Sequence, residues 1–211
     1  MMRYLLHLSF LALCCLFFSG NAFADRGSVV KGDYDADGRT DIIVTRKVGV
    51  FWHWYFRLAT GVEIGPVPFG LASDSTSDII LPGDFDADGD FNLNVIRDIA
   101  GFLNWFSLNN DGTTTQSVWG LSGDTPLTGF FGGSGENDRV VVRETATALV
   151  WYIENQDAAG FSWGLPGDTP YVADVTGDGV DELIVSRVVG GELFWFIREL
   201  SGNVLPVVSW G

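Results

Sequence analysis

The chain of 211 residues carries 27 acidic against 12 basic residues and a formal charge of -15, a balance that argues against nucleic acid and anionic lipid as partners. Its two cysteines, Cys14 and Cys15, both fall in an apolar leader, so the exported chain is expected to need neither a disulfide framework nor thiol chemistry. Beyond that leader His53 is the sole histidine and no cysteine remains, so neither a Ser-His-Asp nor a Cys-His set is expected and zinc ligation lacks its usual ligands.

Residues 1–24 read as a secretory signal peptide, with Arg3 as the positive start, an apolar run from Leu5 to Phe18 and Ala22-Phe23-Ala24 as the small-residue cleavage site. The chain is therefore expected to be secreted or periplasmic, with residues 25–211 as one domain. No other apolar stretch is long enough to span a bilayer, so no membrane insertion is expected.

From there one spacing recurs four times. The leading segments are GDYDADGRTD from Gly32, GDFDADGDFN from Gly83, GFFGGSGEND from Gly129 and ADVTGDGVDE from Ala173. An arginine follows each leading residue by 14 positions: Arg46, Arg97, Arg143 and Arg187. A tryptophan follows each arginine by 8: Trp54, Trp105, Trp151 and Trp195. Each copy closes on an aromatic-glycine pair, at Phe69-Gly70, Trp119-Gly120, Trp163-Gly164 and Trp210-Gly211. Fixed offsets of this kind mean one supersecondary unit copied along the chain.

Within the first copy the predicted strands are Val29 to Tyr34, Ile42 to Arg46, Val50 to Leu58 and Val62 to Phe69, separated by turn signals and built from β-branched and aromatic residues. Four strands in about 45 residues match one blade of a β-propeller. The fold class is thus all-β: a β-propeller of four four-stranded antiparallel blades, at roughly 27–71, 78–121, 124–165 and 168–211. The aromatic strand is apolar on both faces, which predicts a sheet sandwiched between neighbours. Because four whole blades fit, a closed ring is expected, in which blade four seals on blade one through the same aromatic positions and Trp54 and Trp195 are as buried as Trp105 and Trp151. A monomer or a ring-completing homodimer would satisfy that geometry.

The acidic loops, the arginine-to-tryptophan spacing and the linkers WGLSGDTP (Trp119 to Pro126) and WGLPGDTP (Trp163 to Pro170) resemble the FG-GAP or VCBS-type repeats of secreted bacterial proteins. The resemblance covers essentially the whole exported chain. It implies a β-propeller with calcium in the first hairpin of each blade, and its members include adhesion-like receptors and lectin-like proteins.

Calcium takes six to eight oxygens, and such a loop can offer side chains at positions 1, 3, 5 and 9 with a backbone carbonyl at 7. The first loop supplies Asp33, Asp35, Asp37, the Arg39 carbonyl and Asp41. The second supplies Asp84, Asp86, Asp88 and the Asp90 carbonyl, with Asn92 at position 9. The fourth supplies Asp174, Thr176, Asp178, the Val180 carbonyl and Glu182. In the third, Phe130, Gly132 and Ser134 replace the ligands and only Asp138 survives, so two or three structural calcium ions are expected in all. An acidic turn held by side chain to backbone bonds without metal is the bland alternative.

The four arginines invite reading as a ligand ring, yet stacking and ion pairing with linker acids such as Asp124 or Asp168 is the expected role. Trp52 and His53 stand in an aromatic strand and are expected in a seam or core. A glycosidase needs two carboxylates, and Glu63, Glu144, Glu154, Glu192 and Glu199 are available outside the loops, most of them reading as blade edges. The expected function is that of a calcium-stabilised binding or adhesion module for an extracellular protein or glycan, not an enzyme. A lectin with inter-blade sugar sites is the alternative, and a polysaccharide-active enzyme comes third.

Overall fold

The computed structural model describes residues 28–75, 77–132, 135–156 and 159–210. The leader over 1–24, Ser134 and Gly211 lie outside the described residues. Sixteen strands form four antiparallel sheets, and no helix occurs among the described residues.

Blade one is β1 (Ser28–Gly32), β2 (Asp41–Val48), β3 (Phe51–Arg57) and β4 (Glu63–Leu71). Blade two is β5 (Ile79–Ile80), β6 (Leu93–Ile99), β7 (Phe102–Leu108) and β8 (Thr114–Leu121). Blade three is β9 (Thr125–Gly129), β10 (Asp138–Glu144), β11 (Leu149–Ile153) and β12 (Phe161–Ser162). Blade four is β13 (Thr169–Ala173), β14 (Glu182–Val189), β15 (Glu192–Arg198) and β16 (Val208–Ser209). Within every sheet the strands lie side by side in chain order. Tight hairpins set this order: Ala100-Gly101 and Gly190-Gly191 both hold two central residues at positive φ, as a two-residue turn matched to strand twist requires.

Register is the same in all four copies. Trp54 lies opposite Thr45, Trp105 opposite Ile96, Trp151 opposite Val142 and Trp195 opposite Ser186. The side chains of a strand alternate between faces, so each arginine, one residue further on, belongs to the other face. Every blade therefore has a tryptophan face and an arginine face.

Three seams follow from that division. The tryptophan face of blade one, with Ile43, Trp54 and Phe56, closes on Leu93 and Val95 from the arginine face of blade two. Trp105 of blade two closes in the same way on Val141. Trp151 and Ile153 of blade three close on Leu183 and Val185 of blade four. Burying one such large side chain contributes roughly 1.5 to 3 kcal/mol, so these seams hold the array together. The indole N–H of each tryptophan donates to the carbonyl of the aromatic that ends its own blade, at 2.8 Å to Phe69, 2.8 Å to Trp119, 2.7 Å to Trp163 and 3.3 Å to Trp210.

Closure differs from the expectation. The four tryptophans are indeed equally buried, with exposures of 0%, 1%, 0% and 4% in chain order. Yet the inter-blade contacts run from β4 to β6, β8 to β10 and β9 to β13, and no comparable seam joins blade four to blade one among the described residues. Trp54 faces blade two, so its burial does not report closure, and Trp195, on the tryptophan face of blade four, is buried with no such seam to blade one among the described residues. The edge of the array is the arginine face of blade one, where Ile42 is 53% exposed while its counterparts Leu93 and Leu183 are at 2% and 0%. Among the described residues nothing sandwiches that face.

Candidate functional site

The three acidic loops share one conformation. Position 4 takes the left-handed region at Ala36 (φ 55), Ala87 (φ 60) and Gly177 (φ 78), and position 6 takes it at Gly38, Gly89 and Gly179. This coil turns the carboxylates inward. Asp33, Asp35 and Asp37 bring oxygens within 4.8 Å of one another, as do Asp84, Asp86 and Asp88, and as do Asp174, Asp178 and Glu182.

Position 1 anchors each coil. Asp33 accepts the N–H of Asp37 at 3.1 Å and of Gly38 at 2.7 Å, Asp84 those of Ala87 and Gly89, and Asp174 those of Gly177 and Gly179. At position 5, Asp37, Asp88 and Asp178 each accept the N–H two residues on. Arg39 adds its guanidinium to Asp37 and holds that carboxyl below the usual range. Asp35 has no guanidinium partner, only the backbone N–H of Asp37. Desolvation, then the charges of Asp37, Asp41 and Asp33, push its carboxyl up. Desolvation, then Asp88 and Asp84, do the same to Asp86, and Asp90 is pushed up to about 6, first by desolvation and then by Asp88 and Asp86.

Position 9 has a role that its sequence does not advertise. Asp41 is buried, and its two oxygens accept the N–H groups of Tyr34 and Ala59 at 2.9 and 2.8 Å. Asn92 accepts from Phe85, Asp138 from Phe131 and Glu182 from Val175, each donor standing at position 2 of its own loop. The residue thus staples the hairpin in all four blades. This explains why the third loop keeps Asp138 after losing its other acids. Each stapling oxygen retains a lone pair, so the donor sets of loops one, two and four still fit a hard cation.

The loops also join each other into a single rim. Phe91 donates its N–H to the Asp33 carbonyl at 2.7 Å, Asn137 to Asp84 at 2.5 Å and Asp181 to Phe130 at 2.8 Å, each bond crossing from one blade to the one before it. Asn137 and Asp181 return side-chain oxygens to the N–H groups of Asp84 and Phe130.

Away from the rim, the arginines are structural in three blades. Arg143 grips Asp124 and Arg187 grips Asp168, each through two parallel bonds. Arg97 grips Asp78 in the same way, a partner that linker comparison misses because Asp78 stands eight residues after Gly70 whereas the other two stand four after their glycines. Counting back five residues from Gly83, Gly129 and Ala173 would have found all three. Each guanidinium also covers a ring: Phe106, Tyr152 and Phe196, at 5.1, 4.9 and 5.0 Å.

Trp52 is half-buried in the first seam, and His53 is half-buried on the arginine face of blade one. The five candidate acids do not converge. Glu63 pairs with Arg57, Glu154 with Arg139, Glu144 accepts the Gly167 N–H, Glu199 holds Ser201 and Asn203, and Glu192 is exposed. One shallow cleft of about 200 Å³ opens at the seam of blades three and four, lined by Trp163, Gly164, Leu165, Val185, Arg187 and Phe196.

Residues 33–95 match the family model of the FG-GAP-like repeat, a stretch that spans the first acidic loop, the rest of blade one and the second loop through Val95. Neither the curated proteins nor the solved structures gave a match.

Proposed function

Proceeding from an FG-GAP-type repeat in its chain, we propose that the protein is an exported, calcium-stabilised binding module that docks an extracellular protein through its propeller. The observation that carries this reading is the continuous rim. Three acid clusters with oxygens within 4.8 Å of one another sit in loops bonded blade to blade. Calcium in loops one, two and four relieves the repulsion that raises the Asp35 and Asp86 carboxyls. Every ligand is then used to fix loop shape, which makes the ions structural and leaves the rim surface as the docking element. The scattered placement of the five candidate acids supports a non-enzymatic role.

The test is a pair of arrays, one of extracellular proteins and one of glycans, probed with purified protein in calcium and in chelator. Calcium-dependent capture of a defined protein supports the reading. Capture of glycans alone favours a lectin, for which the aromatic cleft at Trp163 and Phe196 is the specific supporting feature. Calcium-independent behaviour throughout removes the metal from the account.

A further inference from the structure

The seams share a detailed fitting. The glycine of each aromatic-glycine pair lies against a valine of the next blade, so close that an added Cβ would stand 2.9 Å from Val95 Cγ1 at Gly70, 2.7 Å from Val141 Cγ1 at Gly120 and 3.0 Å from Val185 Cγ1 at Gly164. Two residues beyond each valine is the arginine, and its aspartate lies beside the glycine. One oxygen of that aspartate also accepts the N–H of the residue after the glycine, Leu71, Leu121 or Leu165, at 2.7 to 2.8 Å. An aromatic-glycine pair followed by a carboxylate is thus a knob. Valine, arginine and the ring beneath the guanidinium are its socket.

Blade one has the socket, and among the described residues no knob of this kind fills it. Val44 is half-buried, and Arg46 lies over Tyr55 at 5.1 Å, matching the other three stacks. Arg46 is exposed, and its side chain makes no ion pair or hydrogen bond among the described residues. Counting back five residues from Gly32, as from Gly83, Gly129 and Ala173, reaches Gly27, which carries no carboxylate. Ile42, beside the socket, is 53% exposed. On a chain with a formal charge of -15, this is a cation pre-oriented by its ring and, among the described residues, without an anion.

We propose that the blade-one socket of Val44, Arg46 and Tyr55 binds a segment of a partner protein that carries an aromatic-glycine pair followed by a carboxylate. The proposal rests on the binding-module reading and names the chemistry of its partner. The three filled sockets supply the shape argument, and the unmatched guanidinium supplies the charge argument. A lone peptide loses its freedom on docking, so affinity for an isolated segment is expected in the range of about 0.1 to 1 mM.

The probe is a capped peptide with the sequence of Trp119 to Pro126, titrated into the isotopically labelled full chain and followed by NMR. Saturable shifts at Ile42 and Val44 are expected. Replacing the peptide aspartate with asparagine, or Arg46 with glutamine, should each weaken binding by about tenfold or more, the range expected for a bidentate charged pair. Combining both changes should add little. Because Arg46 is exposed, Arg46→Gln should melt like the wild type, and Arg46→Lys should recover only part of the affinity. Absence of saturable shifts overturns the proposal, as does binding unaffected by Arg46→Gln. Concentration-dependent self-association lost in Ile42→Asp would show that the socket takes a second copy, which also overturns it. Calcium-dependent capture on the protein array that survives Arg46→Gln would sink the socket while leaving the binding-module reading intact.

Discussion

Arg143 holds Asp124 through two parallel hydrogen bonds of 2.8 Å each, and the carboxylate is all but sealed from water at 2% side-chain exposure while the guanidinium keeps 34%. The pair ties the linker between blades two and three to the sheet of blade three, and Asp124 also accepts the Leu121 N–H. Asp124→Ala leaves both donors without their acceptor. It should lower stability by about 2 to 4 kcal/mol, whereas Arg46→Gln, which breaks no bond, should stay within about 0.5 kcal/mol. Urea unfolding of the two variants beside the wild type checks this; equal losses would contradict the clasp.

The same clasp gives a pH dependence in blade four. Burial raises the Asp168 carboxyl, but the Arg187 guanidinium and the Leu165 N–H outweigh it and hold the net value below the ordinary carboxylate range. A depressed carboxylate contributes stability that is present above its unfolded value, near 3.9, and is lost as pH falls through the folded value. The contribution of Asp168 should therefore be complete at pH 5 and decline below about pH 4. Comparing melting temperatures of wild type and Asp168→Asn from pH 6 down to pH 3 measures it: the gap should narrow as acid is added, and a gap that widens would refute the assignment.

The repeat made the strand count, the blade order and the tryptophan positions legible, because one unit copied four times repeats its contacts as well as its residues. The clasp was half legible. Asp124 and Asp168 sit in matching linkers, while the longer segment before Asp78 hides the third partner. What sequence could not supply was which face of a blade meets the next one. Both faces of β3 are apolar, so period alone does not distinguish Trp54, which faces blade two, from Phe51, which is 48% exposed at the edge. Of the two tryptophans on which closure was to be judged, Trp54 therefore says nothing of it, and the exposed Ile42 on the arginine face is the informative side chain. The stapling role of position 9 was hidden for a different reason: an aspartate bonded to an N–H and one waiting for an ion have the same letter.

The aromatic-glycine pairs yield a contrast within one residue type. Gly120 has φ +102 and its added Cβ would strike Val141, while Gly101 has φ +89 and nothing within 4 Å. Gly101→Ala should cost only the backbone strain, about 1 kcal/mol. Gly120→Ala adds a steric clash inside the seam and should cost about 3 kcal/mol or more. Chemical denaturation of both variants separates the terms. If the two lose the same amount, the seam between blades two and three is looser than the 2.7 Å approach implies.

The loops separate metal from scaffold. If calcium is present at about ten times its dissociation constant, each occupied site adds about 1.4 kcal/mol, so chelator should lower the melting temperature. Asp35→Ala removes an exposed carboxylate crowded by the charges of Asp37, Asp41 and Asp33, so it should abolish much of that response while changing the stability of the chelated protein little, the lost bond from the Asp37 N–H being offset by reduced repulsion. Asp86→Ala should lower the calcium stoichiometry by one ion, counted by native mass spectrometry. Asp138 lies in the loop without the acidic set and staples Phe131, so Asp138→Ala should destabilise the fold by about 1 to 3 kcal/mol with no change in stoichiometry. Asp138→Asn should be milder, because Asn92 performs the same staple with an amide oxygen in blade two. Loss of an ion on changing Asp138 would break the separation between the residue that shapes the hairpin and the residues that hold the metal.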